Sequence, residues 1–253
     1  MFKKNFLLGV GFSEASEDEV LEYIITGLQQ STEKYYVVTP NPEILVIANK
    51  DDDYKKVLNN AKLALVDGVG IKVAGQIMGM RLGDRITGVD LVKSLCRGCA
   101  EKPITIGFLG AGPHVAEQAA ECLREKYPSL KIVFAESGNP DDETVLMIQD
   151  KLAKKEIKHI NLLFVAFGSP KQELWIAKNL DKLPIDVAIG VGGAFDFISG
   201  KTKRAPKWVR NIGFEWLFRL IIQPWRIKRQ LSLITFTWLV FKEIFSLGTS
   251  SKS

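Results

Sequence analysis

Asp67 stands between Val66 and Gly68, at the end of the apolar run Leu63–Val66 and just ahead of a helical pattern. A carboxylate in that position is partly withdrawn from water, which raises its proton affinity toward that of a general base. The same position suits an N-cap for a helix over Val69–Met78, and spacing alone does not separate the two roles. Gly110 and Gly112 form a Gly-x-Gly between another apolar run and another helical pattern. Glycines there let the backbone approach a phosphate, which then lies at the helix N-terminus. Val115 occupies the third position of a dinucleotide fingerprint, and Glu136 closes the next apolar run about where an acid would hold a ribose hydroxyl. The loop reads either as a nucleotide site or as a tight turn. His114 follows Pro113 in this loop and is placed to touch a ligand, whereas His159, amid lysines, reads as surface. No Ser–His–Asp pattern or nucleophile elbow accompanies them.

Other reactive-looking residues read as structural. Asp51-Asp52-Asp53 falls between two helical patterns, away from strand ends, and suits a helix cap at Asp53 with the other two solvated; no metal is expected. Cys96 and Cys99 form a C-x-x-C inside a helical pattern without a partner pair, so small buried residues are expected rather than zinc or redox chemistry. Three cysteines without an export signal fit a reducing cytoplasm. The N-terminus does not read as a signal peptide, and no run of apolar residues is long enough to predict a transmembrane helix.

Charge divides the chain. From Gly200 to Ser253 there are eleven Lys/Arg against two acids, while residues 1–199 carry 23 basic and 27 acidic groups. Four of the five tryptophans also lie in that last stretch: Trp208, Trp216, Trp225 and Trp238. Cations interleaved with Trp and Phe suit an anionic, greasy surface such as a lipid headgroup layer. A basic helical cap on the core and a nucleic-acid arm are the plainer readings; a membrane surface and no nucleic acid are expected here. Arg219, Arg226 and Arg229 are spaced by seven and three, with Pro224 between. They could converge on phosphate oxygens or form a solvated face. Leu231–Leu247 suits a helix lying in an interface, or one packed on the core.

These residues need a scaffold, and the chain supplies one. Strands are predicted at Phe6–Val10, Tyr35–Thr39, Leu63–Val66, Ile104–Leu109, Ile132–Ala135, Ile160–Ala166 and Val187–Gly190. Amphipathic helices alternate with them, three opening on Pro42, Pro113 and Pro170 in the first turn. Near-continuous apolar strands separated by helices imply an α/β fold, a Rossmann-like parallel sheet covered by helices on both faces. The boundary is chemical: a catalytic core over 1–199, then a basic helical C-terminal appendage over 200–253. In such sheets ligands bind at the carboxyl ends of the strands. Six predicted strands feed polar, Gly-rich loops onto that edge, which implies one composite pocket.

Those loops, taken together, resemble a family. Thr39-Pro-Asn-Pro-Glu43, Asp67-Gly-Val-Gly70, Arg85-Ile-Thr-Gly-Val-Asp90, Gly168-Ser-Pro-Lys-Gln-Glu-Leu-Trp175 and Gly190-Val-Gly-Gly-Ala-Phe-Asp196 are similar to motifs of the WecG/TagA/CpsF bacterial glycosyltransferases. Arg204-Ala-Pro-Lys-Trp208, Glu215-Trp-Leu-Phe-Arg219 and Pro224-Trp-Arg226 extend the match, which runs in order from about residue 5 to 230. The motifs sit nearest the members that act in wall teichoic acid synthesis. The resemblance implies transfer of N-acetylmannosamine from its UDP donor to undecaprenyl-diphosphate-linked N-acetylglucosamine, with inversion and a β-1,4 link. It implies no metal and no cofactor, and an appendage that completes the site on the inner face of the cell membrane, with a homo-oligomer left open. Carried onto this chain, Asp67 matches the catalytic base, Thr39, Asn41, Arg85 and Gln172 match pocket residues, and Arg219, Arg226 and Arg229 match the appendage arginines. Gly110, Gly112, Glu136 and Asp196 join them as expected substrate contacts from the loops. Relatives using UDP-N-acetylmannosaminuronic acid or other sugars leave the donor open. An NAD-dependent oxidoreductase, or a non-catalytic membrane protein that binds nucleotide, are the competing classes; turnover of a lipid acceptor separates them.

Overall fold

A computed structural model describes residues 2–30 and 33–250. The chain runs β1 (Lys4–Leu7), β2 (Val10–Ser13), α1 (Glu17–Gln30), β3 (Tyr35–Val38), α2 (Pro42–Ala48), α3 (Asp52–Asn60), β4 (Leu63–Ala64), α4 (Val69–Ile77) and α5 (Gly88–Cys99). It continues through β5 (Thr105–Gly110), α6 (Val115–Lys126), β6 (Lys131–Glu136), α7 (Asp142–Lys154), β7 (Ile160–Ala166), α8 (Lys171–Asn179), β8 (Ile185–Gly190) and α9 (Ala194–Ile198). The basic segment forms α10 (Lys207–Asn211), α11 (Glu215–Ile222) and α12 (Ile227–Ser250).

Six strands form one parallel sheet in the order β4-β3-β8-β7-β5-β6. The chain steps outward from β3 to β4, then outward the other way from β5 to β6, and β7 and β8 fill the gap. Loops after β3, β8, β7 and β5 therefore lie side by side at the carboxyl edge, the edge at which open parallel sheets bind ligands. Both faces are dry. On β7, Leu162 and Phe164 enter the apolar cluster under α5, α6 and α9, while Leu163 and Val165 enter the one under α7 and α8. That alternation is why the strand reads as unbroken apolar sequence.

Four expectations need correction. The first predicted strand is two: Leu8 and Gly9 take positive φ of 52° and 76°, so Phe6–Val10 folds back as an antiparallel hairpin outside the main sheet. Positive φ at both central residues is what tight hairpin turns require. Asp51, not Asp53, caps α3, accepting from the Tyr54 amide at 2.9 Å; Asp52 and Asp53 pair with Lys55 and Lys56. Pro42 does open α2, but Pro113 and Pro170 stop short of the first turns of α6 and α8. His159 is not a free surface group: it is partly exposed, with Nε2 2.6 Å from Oδ1 of the buried Asp186. Cys96 and Cys99 are buried in the core, and burial pushes the Cys99 thiol up to about 11.

The last helix settles on the body with one face. Phe236 and Val240 enter the apolar cluster containing Leu45 of α2, and the Glu243 carboxylate accepts from the Leu8 amide at 3.1 and 3.2 Å. Ile234, Trp238, Phe241 and Phe245 remain exposed on the same helix. Among the described residues no helix is long and apolar enough to cross a membrane.

Candidate active site

Asp67 follows β4 at the carboxyl edge, with its amide donating to Pro40 O at 3.0 Å, which ties the β4 loop to the β3 loop. It does not cap α4. Gly68 occupies the N-cap at φ +124°, and no side chain bonds the first turn. A Cβ at Gly68 would also come 3.2 Å from Pro42 Cδ, so glycine serves both the backbone angle and the close approach. Asp67 keeps a small solvent-facing fringe in a densely packed setting. Burial raises its proton affinity, Glu215 and Asp90 raise it further, Arg85 and Arg204 oppose them, and the carboxyl is pushed up to about 7. A carboxylate near neutrality is matched to general-base work at physiological pH.

Arg85 reaches this place because the chain after α4 returns beside β4: Val66 and Arg85 form a parallel bridge, and the Ile86 amide donates to Val66 O at 2.9 Å. Arg85 Nη2 donates to Arg210 O at 3.2 Å, joining the body to the appendage.

Three predicted pocket residues hold loops together. Thr39 Oγ1 donates to Gly190 O at 3.1 Å, linking β3 to β8 across the buried edge. Asn41 Oδ1 accepts from the Ile44 amide at 3.1 Å as the cap of α2. Gln172 is buried; its Oε1 accepts from the amides of Gly168 and Gly192 at 3.2 and 3.0 Å, and its Nε2 donates to Glu173 at 2.8 Å. One amide group thus fixes the β7 and β8 loops relative to each other. Glu173, buried beneath it, accepts from Tyr54 and Ser169 hydroxyls, and burial raises its proton affinity.

The glycine loop is strained in the way a close backbone approach needs. Gly110 takes φ +101°, with Ala111 and His114 also positive at 63° and 60°. A side chain at Gly110 would come 2.8 Å from Phe167 Cδ1. Val115, where a dinucleotide loop has its third glycine, is buried in the core instead. A Cβ at Gly112 would lie 3.2 Å from Lys201 Nζ, so a cation stands over the loop. The His114 side chain is exposed, and Glu136 is paired with Lys151 of α7.

From the appendage, Arg219 reaches the β8 loop. Its guanidinium lies 4.7 Å over the Phe197 ring, and a side chain at Gly193 would come 2.8 Å from Arg219 Nη2 and 3.5 Å from Asp196 Oδ2. Asp196 and Arg219 are thus neighbours. The side chains of Arg226 and Arg229 lie outside the described residues; their backbone is helical.

Sequence reasoning missed the strongest polar contact at this edge. Arg204 forks onto Asp90, Nη1 to Oδ1 at 2.6 Å and Nη2 to Oδ2 at 2.7 Å, while its Nε donates to Glu215 Oε1 at 3.0 Å. Burial works against the Asp90 charge, but the Arg204 fork and the Thr87 bond outweigh it and hold the carboxyl below its usual range. The signal was present as opposite charges in two quoted motifs, yet nothing local joins residues 90 and 204. Two concavities of about 440 and 550 Å³ lie elsewhere, one lined by Phe2, Tyr23 and Tyr35, the other by Glu14, Lys72 and Arg81.

The carboxyl edge of the parallel sheet thus carries a carboxyl near neutrality, a glycine loop under a lysine, and an incoming arginine. Over residues 5–250 the chain matches the Glycosyl transferase WecG/TagA/CpsF family, and it belongs to that family. It is 36% identical over 229 residues to the N-acetylglucosaminyldiphosphoundecaprenol N-acetyl-beta-D-mannosaminyltransferase of Bacillus subtilis (strain 168), covering 87% of each chain. The protein of the same name from Staphylococcus aureus (strain NCTC 8325 / PS 47) is 32% identical over 238 residues, covering 93% of this chain and 91% of the relative.

Proposed function

We propose that this protein transfers N-acetylmannosamine from a UDP donor to N-acetylglucosaminyldiphosphoundecaprenol, forming a β-1,4 link with inversion, an early step of wall teichoic acid synthesis. The observation that carries the mechanism is Asp67: free of helix capping and held near neutral proton affinity at the carboxyl edge of the sheet. As the acceptor hydroxyl oxygen attacks the anomeric carbon, Asp67 takes its proton, and UDP departs from the opposite face of the sugar. The charge developing on UDP needs compensation in place before the step. The N-terminus of α6 behind Gly110 and Gly112, with Lys201 above it, supplies a donor-side cradle; Arg219 supplies a cation from the appendage. Thr39, Asn41 and Gln172 shape the pocket by fixing its loops, and Arg85 and Asp196 line its rim.

The division into a catalytic core over 1–199 and a membrane-facing appendage over 200–253 is part of the same reading. Its support is the run of exposed apolar residues among the tail cations, Trp208, Ile221, Trp225, Ile234, Trp238 and Phe245. On this reading the enzyme works peripherally on the inner face of the cell membrane, where a lipid-linked acceptor presents its sugar. The test is product analysis: the full chain with UDP-N-acetylmannosamine and a short-chain diphosphate-lipid N-acetylglucosamine acceptor should yield UDP and a disaccharide-lipid. No mass gain on the acceptor overturns the reading.

A further inference from the structure

We infer that Arg204 and Glu215, both supplied by the appendage, are positioning residues for the sugar transfer: Arg204 clamps Glu215 and Asp90 in place beside Asp67. The inference rests on the proposed transferase reading and deepens it. The geometry is a four-bond fork. Arg204 holds both Asp90 oxygens at 2.6 and 2.7 Å, Glu215 Oε1 at 3.0 Å and Thr87 Oγ1 at 3.1 Å. Its side chain is 13% exposed, Glu215 is 21% exposed, and Arg210 adds a second cation 3.7 Å from Asp90. A planar guanidinium fits three acceptor groups at once, and a lysine cannot reproduce the arrangement.

The clamp does more than hold α5 to the chain entering α11. The charged groups facing Asp67 come from four places: Glu215 at the start of α11, Arg85 between α4 and α5, Asp90 in the first turn of α5, and Arg204 between α9 and α10. Among these Glu215 is the largest electrostatic contribution, and it acts to keep the Asp67 proton bound. Glu215 stands there because Arg204 Nε holds it. Burial is the main cause of the raised proton affinity of Asp67, and a carboxylate in the appendage adds to it. An appendage that lifted away would leave Asp67 a weaker base in a more open site.

Two variants of the full chain separate this from a purely structural role. Glu215→Gln removes the facing negative charge, so Asp67 should titrate lower, and the acidic limb of kcat/KM should move down by roughly 0.5–1 pH unit. Carbon-13 carboxyl titration of the full chain, with the Asp67 signal assigned through Asp67→Asn, reads the same shift without any turnover. Arg204→Lys keeps the charge and loses the fork; kcat should fall by roughly tenfold or more through misplacement, with donor KM held. An Asp67 titration unmoved in Glu215→Gln, or full kcat in Arg204→Lys, overturns the inference. Should Glu215→Gln prove unfolded by circular dichroism, Asp90→Asn must shift the Asp67 titration in the same direction, and an unmoved signal there overturns it equally. A wild-type chain that transfers no sugar sinks the transferase reading instead, and leaves the titration result standing.

Discussion

Strand β7 buries every residue from Leu162 to Ala166, whereas α11, eight residues of which six are apolar or aromatic, buries none completely. The two segments have comparable greasiness and opposite fates. In β7 each side chain finds a partner on one of two covered faces. In the appendage the apolar side chains outnumber the places the body offers them. It is held at a few points: the Arg204 fork, Arg219 over Phe197, the Phe236–Val240 face and the Glu243 carboxylate on Leu8. The lesson is a division of labour. The body encloses its apolar side chains, and the appendage leaves a row of them exposed.

The largest effect expected tests the body's half of that division. Asp67→Asn removes the base while leaving the sheet edge, the α6 N-terminus and Lys201 in place. Turnover should fall by about 10²–10⁴, with UDP affinity by calorimetry largely retained. Near-wild-type turnover would return Asp67 to a structural role.

The next tests whether the appendage is an ornament on a self-sufficient core. Phe236 is 5% exposed in the cluster over α2. Phe236→Ala should destabilise the chain by about 3–5 kcal/mol, seen in the denaturant midpoint. Removing residues from 200 onward should therefore expose the α2 face as well as abolish transfer. An unchanged midpoint in Phe236→Ala would show that α12 rests on the body without stabilising it.

A third prediction uses the sign of the Asp67 shift. Its folded value, about 7, lies above the ordinary carboxylate value of 3.8. Between those values the folded chain binds more protons than the unfolded one, so this group's contribution to stability falls as pH rises through the window. Asp67→Asn should stabilise the protein at pH 8 by roughly 1–3 kcal/mol, and the gain should vanish below pH 4. A base held ready for catalysis is here a cost to the fold.

The body was legible because its signals are local. All six sheet strands and eight of the nine body helices follow from apolar runs, period and turn residues, and their loops from Gly and Pro; the short α9 was not foreseen. The hairpin was missed because Leu8-Gly9 is a weak turn signal inside an apolar run. At the site, Asp67 was visible as a strand-end carboxylate, but setting the capping role aside needed Gly68 to be seen in the N-cap. Gln172 and Thr39 were expected in the pocket from the resemblance alone, while their use in tying loops depends on Gly190 and Gly192, distant in sequence. Arg204 was invisible for the same reason. Its partners are 114 and 11 residues away, and only the return of the appendage to α5 brings all three together.

The smallest expected effect concerns the uncovered face, and it sharpens the comparison most directly. Trp225 is 74% exposed, and Trp238 stands exposed with Lys242 Nζ 5.5 Å over its ring. An aromatic ring beside a cation is suited to the headgroup layer, where the ring buries and the charge meets lipid phosphate. In the folded body these two rings have little to lose, so Trp225→Ser with Trp238→Ser should leave stability within about 0.5 kcal/mol. Partitioning onto anionic vesicles should nonetheless fall severalfold. Added salt should weaken binding of both proteins, because each basic residue near the surface contributes about 1 kcal/mol that counterions screen. On neutral vesicles the charge contribution disappears and the tryptophan deficit should remain, which separates grease from charge. Equal partitioning of the wild type and the double variant on both vesicle types would mean that the exposed face meets something other than lipid.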